Sequence, residues 1–300
     1  MKALSSRLRE KGFAGEILEK EPLARHCSLR VGGEADLMAV PGNMEDLRLV
    51  TAALAEGGER WQVLGGGTNV LFSNGGFAGC VIRMGKGFSQ IRMEGDTGIF
   101  AGASALLSSL VAFAGERGLE GLECLSGIPG TVGGGVRMNA GTASGEIADT
   151  LQNADLLRES GESRITGREM GFSYRSSALR EGDIILGAMF HLRASTPGIV
   201  RERIREQLHR RKKSQPLGVP SAGCWFRNPE GDSAGRLIDE AGMKGVRCGG
   251  AQVSRVHANF LVNAGEATAR DFLALAERVR ESVRERFGII LEEEVQVVHG

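Results

Sequence analysis

Two glycine-rich loops constrain this chain more than any other feature. The first reads Leu64-Gly65-Gly66-Gly67-Thr68-Asn69-Val70-Leu71, the second Ser126-Gly127-Ile128-Pro129-Gly130-Thr131-Val132-Gly133-Gly134-Gly135. Glycine lets backbone N–H groups face an anion with no Cβ in the way. Thr68, Asn69, Ser126 and Thr131 add side-chain donors. Each loop alone is more often a mere tight turn. Together they point to a nucleotide diphosphate. Neither is a P-loop, and neither is a dinucleotide fingerprint that opens a helix and leads to a distant acid. Glycine is enriched overall, at 45 of 300 residues, against a usual share of about 7%. With only seven prolines, this is not a low-complexity chain.

The bulk numbers exclude several classes. A net charge of zero argues against an electrostatic nucleic-acid binder. Cys27, Cys80, Cys124, Cys224 and Cys248 include no CxxC pair and are odd in number, so neither a zinc site nor a disulfide framework is expected. The N-terminus lacks an apolar signal core, and no run of about 18 apolar residues suggests a membrane span. The expectation is a reduced, cytoplasmic, monomeric protein without metal.

Short strands are expected at 35–40, 62–64, 79–84, 151–157 and 184–192. Helices are expected at 44–56, 104–117, 199–213 and 268–287. In the last helix Phe272, Leu275, Val279, Val283 and Phe287 share a face. Residues 196–198 read as a linker, and 289–298 as a closing strand. The mixture suggests α+β.

Further ordered blocks accompany the loops. They are His26-Cys27-Ser28-Leu29-Arg30-Val31-Gly32-Gly33, Met138-Asn139-Ala140-Gly141, Tyr174-Arg175-Ser176-Ser177 and Gly223-Cys224-Trp225-Phe226-Arg227-Asn228-Pro229. Gly250-Ala251-Gln252-Val253-Ser254, His257-Ala258-Asn259-Phe260 and Leu291-Glu292-Glu293-Glu294-Val295 follow. On these blocks, over nearly its whole length, the chain resembles the UDP-N-acetylenolpyruvoylglucosamine reductase family of peptidoglycan precursor synthesis.

The resemblance implies a two-lobed FAD-binding module of the vanillyl-alcohol-oxidase type at 1–85 and 86–197. A C-terminal α+β substrate domain would follow at 198–300. It implies non-covalent FAD, NADPH as hydride donor and a UDP-sugar substrate, the activity of a UDP-N-acetylmuramate dehydrogenase. FAD would contact Gly65, Gly66, Gly67, Thr68, Asn69, Val70, Ser126, Gly127, Ile128, Pro129, Gly130, Thr131, Gly133, Gly134, Asn139, Ala140 and Gly141. Substrate would meet Tyr174, Asn228, Lys213 and Asn259, with the basic run 210–213 a further candidate.

Three residues carry the implied chemistry. Arg175 would hold the substrate carboxylate and stabilise an enolate-like intermediate, a task that suits a guanidinium fork. Glu294 would deliver or polarise a proton, with Glu292 as the alternative, since the two share a face on a strand. Cys224 stands where the family usually has serine as proton donor, and a thiol is a stronger acid than a hydroxyl. Cys27 also replaces a usual hydroxyl residue, and Thr142-Ala143-Ser144 varies another flavin-side segment. Tyr174 is the sole tyrosine, so a substrate-capping loop bearing a further tyrosine is lacking, which suggests the loop-less, type II branch. A different FAD-linked sugar or hydroxy-acid oxidoreductase is the alternative. Many of those bind flavin covalently through a histidine in the first loop, where this chain has none.

Overall fold

A computed structural model describes residues 2–300 and divides them into two compact units. The first comprises residues 2–18, Met38–Gly66 and Cys80–Arg211, and the second Glu19–Leu37, Gly67–Gly79 and Lys212–Gly300.

Among the described residues the α-helices are α1 (Lys2–Glu10), α2 (Met44–Gly57), α3 (Leu107–Glu116), α4 (Val132–Arg137), α5 (Pro197–Ser214), α6 (Ala234–Glu240) and α7 (Ala269–Phe287). In the first unit, α2 follows residues 38–40, the end of the strand Glu34–Val40, as its apolar spacing predicts. Asn43 caps it by accepting the Asp46 N–H at 2.9 Å, and Gly58, in the left-handed region, ends it. Leu47, Val50 and Leu54 are buried. Trp61–Val63 then pairs in parallel with the Cys80–Ile82 end of the strand Phe77–Ile82.

The larger part of this unit is a five-stranded antiparallel sheet. Its order is Gly161–Thr166, Leu151–Arg158, Ile184–His191, Gly98–Gly102 and Ile91–Glu94. Helices α3 and α4 share one core with it, containing Leu110, Val132, Val136, Ile147 and Phe190.

Three expectations change here. Helix α3 begins at Leu107 rather than 104, because the Ala105 carbonyl is taken by the Val132 N–H at 2.8 Å. The second glycine loop does enter a helix, the six-residue α4, which glycine propensity opposes. Packing overrides propensity: a Cβ on Gly135 would sit 3.0 Å from Ile147 and 3.1 Å from Leu107. Residues 196–198 are no linker. Pro197 opens α5, a position where its missing N–H costs nothing, and the Thr196 hydroxyl accepts the Ile199 N–H.

The second unit is built on a four-stranded antiparallel sheet. Its order is Ser221–Cys224, Phe260–Asn263, Ala251–Val253 and Arg247–Cys248. Helix α7 packs on it through Phe272, Leu275, Val279 and Val283, all fully buried. Trp225 stacks parallel to Phe272, with centroids 5.5 Å apart. The closing strand is shorter than expected: only Gln296–Val298 is strand, paired in parallel with Val70–Phe72. Residues 289–295 have a single bridge, Glu293 to Phe226, so strand alternation does not set how Glu292 and Glu294 are presented.

Candidate active site

In the first unit residues 64–66 of the first loop lie against the second loop. A Cβ on Gly66 would fall 2.7 Å from the Gly130 Cα, and one on Gly65 2.9 Å from the Thr131 hydroxyl. Loop-to-loop packing therefore demands these glycines. The backbone N–H groups of Gly65, Gly66, Gly130 and Thr131 find no acceptor among the described residues. Ser126, 2% exposed, has a hydroxyl without a hydrogen-bond partner among them. Unpaired N–H donors on two touching loops and an orphaned buried hydroxyl call for an acceptor-rich ligand, and this donor set fits a dinucleotide diphosphate. Gly127 has φ +74° and packs against Leu208 and Arg211 of α5. Ile128 and Ala140 lie on the core edge. Gly133 is the α4 glycine nearest Ala103, and Gly134 is exposed.

Asn139 is fully buried in the left-handed region, φ +44°. Its amide donates to the Ser173 carbonyl at 3.2 Å and accepts the Ala148 N–H at 3.0 Å. Asn139 thus ties down the turn that carries Arg175. In that turn Ser173 and Ser176 exchange both backbone hydrogen bonds at 3.1 Å, leaving Tyr174 and Arg175 at the tip. Arg175 has φ +55° in a position that glycine or asparagine usually fills. Such strain concentrates at functional sites. Its Nη2 donates to the Gly141 carbonyl at 2.8 Å, and its guanidinium lies 5.1 Å from the Tyr174 ring centroid. Tyr174 is 45% exposed. Thr142 and Ser144 bond to each other at 2.8 Å, and Gln207 donates to Ser144.

In the second unit Gly67 has φ +62°, and a Cβ there would lie 2.0 Å from the His26 carbonyl, so only glycine fits. Its own carbonyl accepts the Ser28 N–H at 2.9 Å. Cys27 is buried, and burial pushes its thiol up to about 12. Thr68 is half-buried and Val70 buried. Asn69 donates from its side chain to the Glu294 carbonyl at 3.1 Å and accepts the Gln296 N–H on its own carbonyl.

Cys224 and Glu294 share this unit, whereas Arg175 belongs to the first. Cys224 ends the strand Ser221–Cys224 just after Gly223, φ +79°, where the pairing with Phe260–Asn263 shifts register. The thiol is in no disulfide and is half-buried. The next residue, Trp225, gives its carbonyl to the Glu294 N–H at 2.8 Å. The three glutamates separate clearly. Glu292 is exposed, Glu293 takes the Arg280 guanidinium at 3.1 Å, and Glu294 is half-buried with both backbone groups engaged.

Asn228 is exposed, and its side-chain oxygen accepts the Ala234 N–H at 3.0 Å, capping α6. Lys213 is exposed in the last turn of α5. Asn259 is 2% exposed and its amide is committed to the Phe226 backbone. His257, whose Nδ1 accepts the Asn259 N–H, escaped sequence reasoning despite its place in the quoted block. Burial, reinforced by Lys244, pulls its pKa down. Among the described residues no group of His, Cys, Asp and Glu is arranged to hold a metal, and no helix is long and apolar enough to cross a membrane.

Comparison with known proteins agrees with this layout. Residues 35–167 match an FAD binding domain. Residues 215–298 match the UDP-N-acetylenolpyruvoylglucosamine reductase, C-terminal domain. The chain is 47% identical to the Geobacter metallireducens UDP-N-acetylenolpyruvoylglucosamine reductase, over 98% of each chain. It is 45% identical to the Rubrobacter xylanophilus protein of that name, over 93% of this chain and 94% of the relative. Among solved structures it resembles the Thermus caldophilus reductase at TM-score 0.82 and 38% identity, covering 94% of this chain and 98% of that one. A Physcomitrella patens BBE-like protein, at 13% identity, TM-score 0.52 and 93% and 60% coverage, shares the fold alone. With its α+β fold, its FAD-binding module and its C-terminal domain all matched, this chain belongs to the UDP-N-acetylenolpyruvoylglucosamine reductase family.

Proposed function

We propose that this chain is a UDP-N-acetylmuramate dehydrogenase. It reduces the enolpyruvyl group of UDP-N-acetylglucosamine enolpyruvate with NADPH, as a step of peptidoglycan precursor synthesis. The observation that carries the reading is full-length kinship with proteins named for that reduction. Non-covalent FAD, when bound, supplies a centre that accepts hydride from NADPH and passes it to the vinyl carbon. The cradle of Gly65, Gly66, Gly130 and Thr131 N–H groups would hold its diphosphate, with Ser126, Gly127 and the other loop residues around it.

The side chains then have separate tasks. Arg175, fixed in its turn by Asn139 and by the Gly141 carbonyl, holds the substrate carboxylate with the rest of its fork and draws charge from the enolate as it forms. Cys224 delivers the proton to the carbon beside the one that receives hydride. Glu294 acts as an acid beside the substrate carboxylate, delivering or polarising a proton. Tyr174, Asn228 and Lys213 present exposed polar groups for the sugar nucleotide. We assign residues 1–85 and 86–197 to the two FAD lobes and 198–300 to the substrate domain, and we place the enzyme in the cytoplasm as a monomer.

The purified, FAD-loaded chain should consume NADPH only when the enolpyruvyl sugar nucleotide is present. NADPH consumption that ignores the substrate, or none at all, would overturn the reading. Acid precipitation should release the flavin into the supernatant, because residues 64–71 contain no histidine to bond it.

A further inference from the structure

Cys224 sits where its sheet stops. The register shift at Gly223 breaks the ladder between Ser221–Cys224 and Phe260–Asn263, and Trp225 and Phe226 continue beyond it. Their backbone groups are buried and need partners. One residue supplies most of them. The Asn259 carbonyl accepts the Trp225 N–H at 2.7 Å. The Asn259 side chain accepts the Phe226 N–H at 2.9 Å and donates to the Phe226 carbonyl at 2.8 Å. A side-chain amide is a peptide isostere, so Asn259 acts as one extra rung of strand.

The rung has a counterpart. The Trp225 carbonyl accepts the Glu294 N–H at 2.8 Å, and Arg227 donates to the Glu292 carbonyl at 2.8 Å. The peptide groups after Cys224 are therefore gripped by Asn259 on one side and by the Glu294 segment on the other. Trp225 and Phe226 are buried, at 0% and 1% exposed, so their side chains leave the backbone no room to drift. Asn259 is itself braced, its N–H donating to His257 Nδ1 at 3.2 Å.

From this juxtaposition we infer that Asn259 is a positioning residue that holds Cys224 in register with Glu294, rather than a substrate ligand. The inference rests on the reading of Cys224 as proton donor. Misplacing a donor by about 1 Å costs on the order of 10²-fold in rate.

The test uses the FAD-loaded full chain carrying Cys248→Ser, which removes the other half-buried thiol. Asn259→Ala should change the rate at which iodoacetamide alkylates Cys224 several-fold, a readout that needs no turnover. It should slow flavin reoxidation by the enolpyruvyl substrate about 10²-fold and leave flavin reduction by NADPH unchanged. Asn259→Asp should return both readouts towards wild type. A buried carboxyl held protonated keeps the same donor and acceptor, and this variant serves if the alanine variant does not fold. Altered alkylation with intact reoxidation would support the positioning and sink the proton-donor reading of Cys224. Unchanged alkylation, or equal loss in both half-reactions, would overturn the inference.

Discussion

Cys224 is the residue on which the chemistry turns, and its neighbours make it testable. Burial pushes the thiols of Cys27 and Cys80 up to about 12 and that of Cys124 up to about 11. At neutral pH these three stay protonated and shielded, and the thiolate is the reactive form. Cys224 and Cys248 are half-buried. Alkylation of the native protein at neutral pH should therefore modify Cys224 and Cys248 alone, as peptide mass mapping would show, and the Cys224 fraction should track lost activity. Substitution separates proton donation from mere presence in the site. Cys224→Ser should retain product formation, and Cys224→Ala should lower it by about 10²- to 10⁴-fold, the usual worth of a general acid. An alanine variant with intact hydride transfer and product formation would assign the proton to another group.

Elements are legible from sequence where spacing and caps agree, as in α7. Its apolar residues recur at helical spacing, and its start carries a reciprocal capping box: Thr268 accepts the Asp271 N–H at 3.2 Å, and Asp271 accepts the Thr268 N–H at 2.8 Å. Asn74 adds an acceptor for the Ala269 N–H at 2.8 Å. Thr268→Ala should cost about 1 kcal/mol in denaturant unfolding and leave the kinetics of both half-reactions unchanged; a larger kinetic than stability effect would contradict a purely capping role. Other elements are hidden because tertiary contacts decide them. The three glycines of Val132-Gly133-Gly134-Gly135-Val136-Arg137 oppose a helix, and the one local aid, the Thr131 cap on the Gly134 N–H at 3.4 Å, is joined by close contact with Ala103, Leu107 and Ile147. The segment 289–295 looks like strand, but its backbone bonds are a few to Trp225 and Arg227 rather than a ladder. The candidate site divides the same way. Its motifs announced the residues. They did not announce that Asn139 and Asn259 are engaged by backbone, since an asparagine in a motif looks the same whether it faces a ligand or a peptide group.

On the scale of the whole molecule, sequence order conceals how each unit is assembled. In the second unit, Ser28 donates to the Ser221 carbonyl at 2.6 Å and Asn263 to the Leu29 carbonyl at 3.1 Å. These contacts span about two hundred residues, which no local pattern reveals. Both units contain buried thiols, Cys80 and Cys124 in the first and Cys27 in the second, so alkaline pH acts on the entire chain. A free thiol titrates near 9, whereas these hold their protons until about 11 or 12. Between those values the unfolded chain releases protons that the folded chain retains, so the unfolded state gains. Stability from this source is whole below pH 9 and is lost as pH rises through 11 to 12, by up to about 1.4 kcal/mol per pH unit for each thiol. Cys80→Ala should start less stable at neutral pH, because it leaves a cavity. It should then lose less stability than the parent between pH 9 and pH 11 in urea unfolding. The difference between the two curves cancels the tyrosine and lysine titrations common to both. Parallel curves across that range would mean that Cys80 keeps an ordinary thiol pKa in the folded chain.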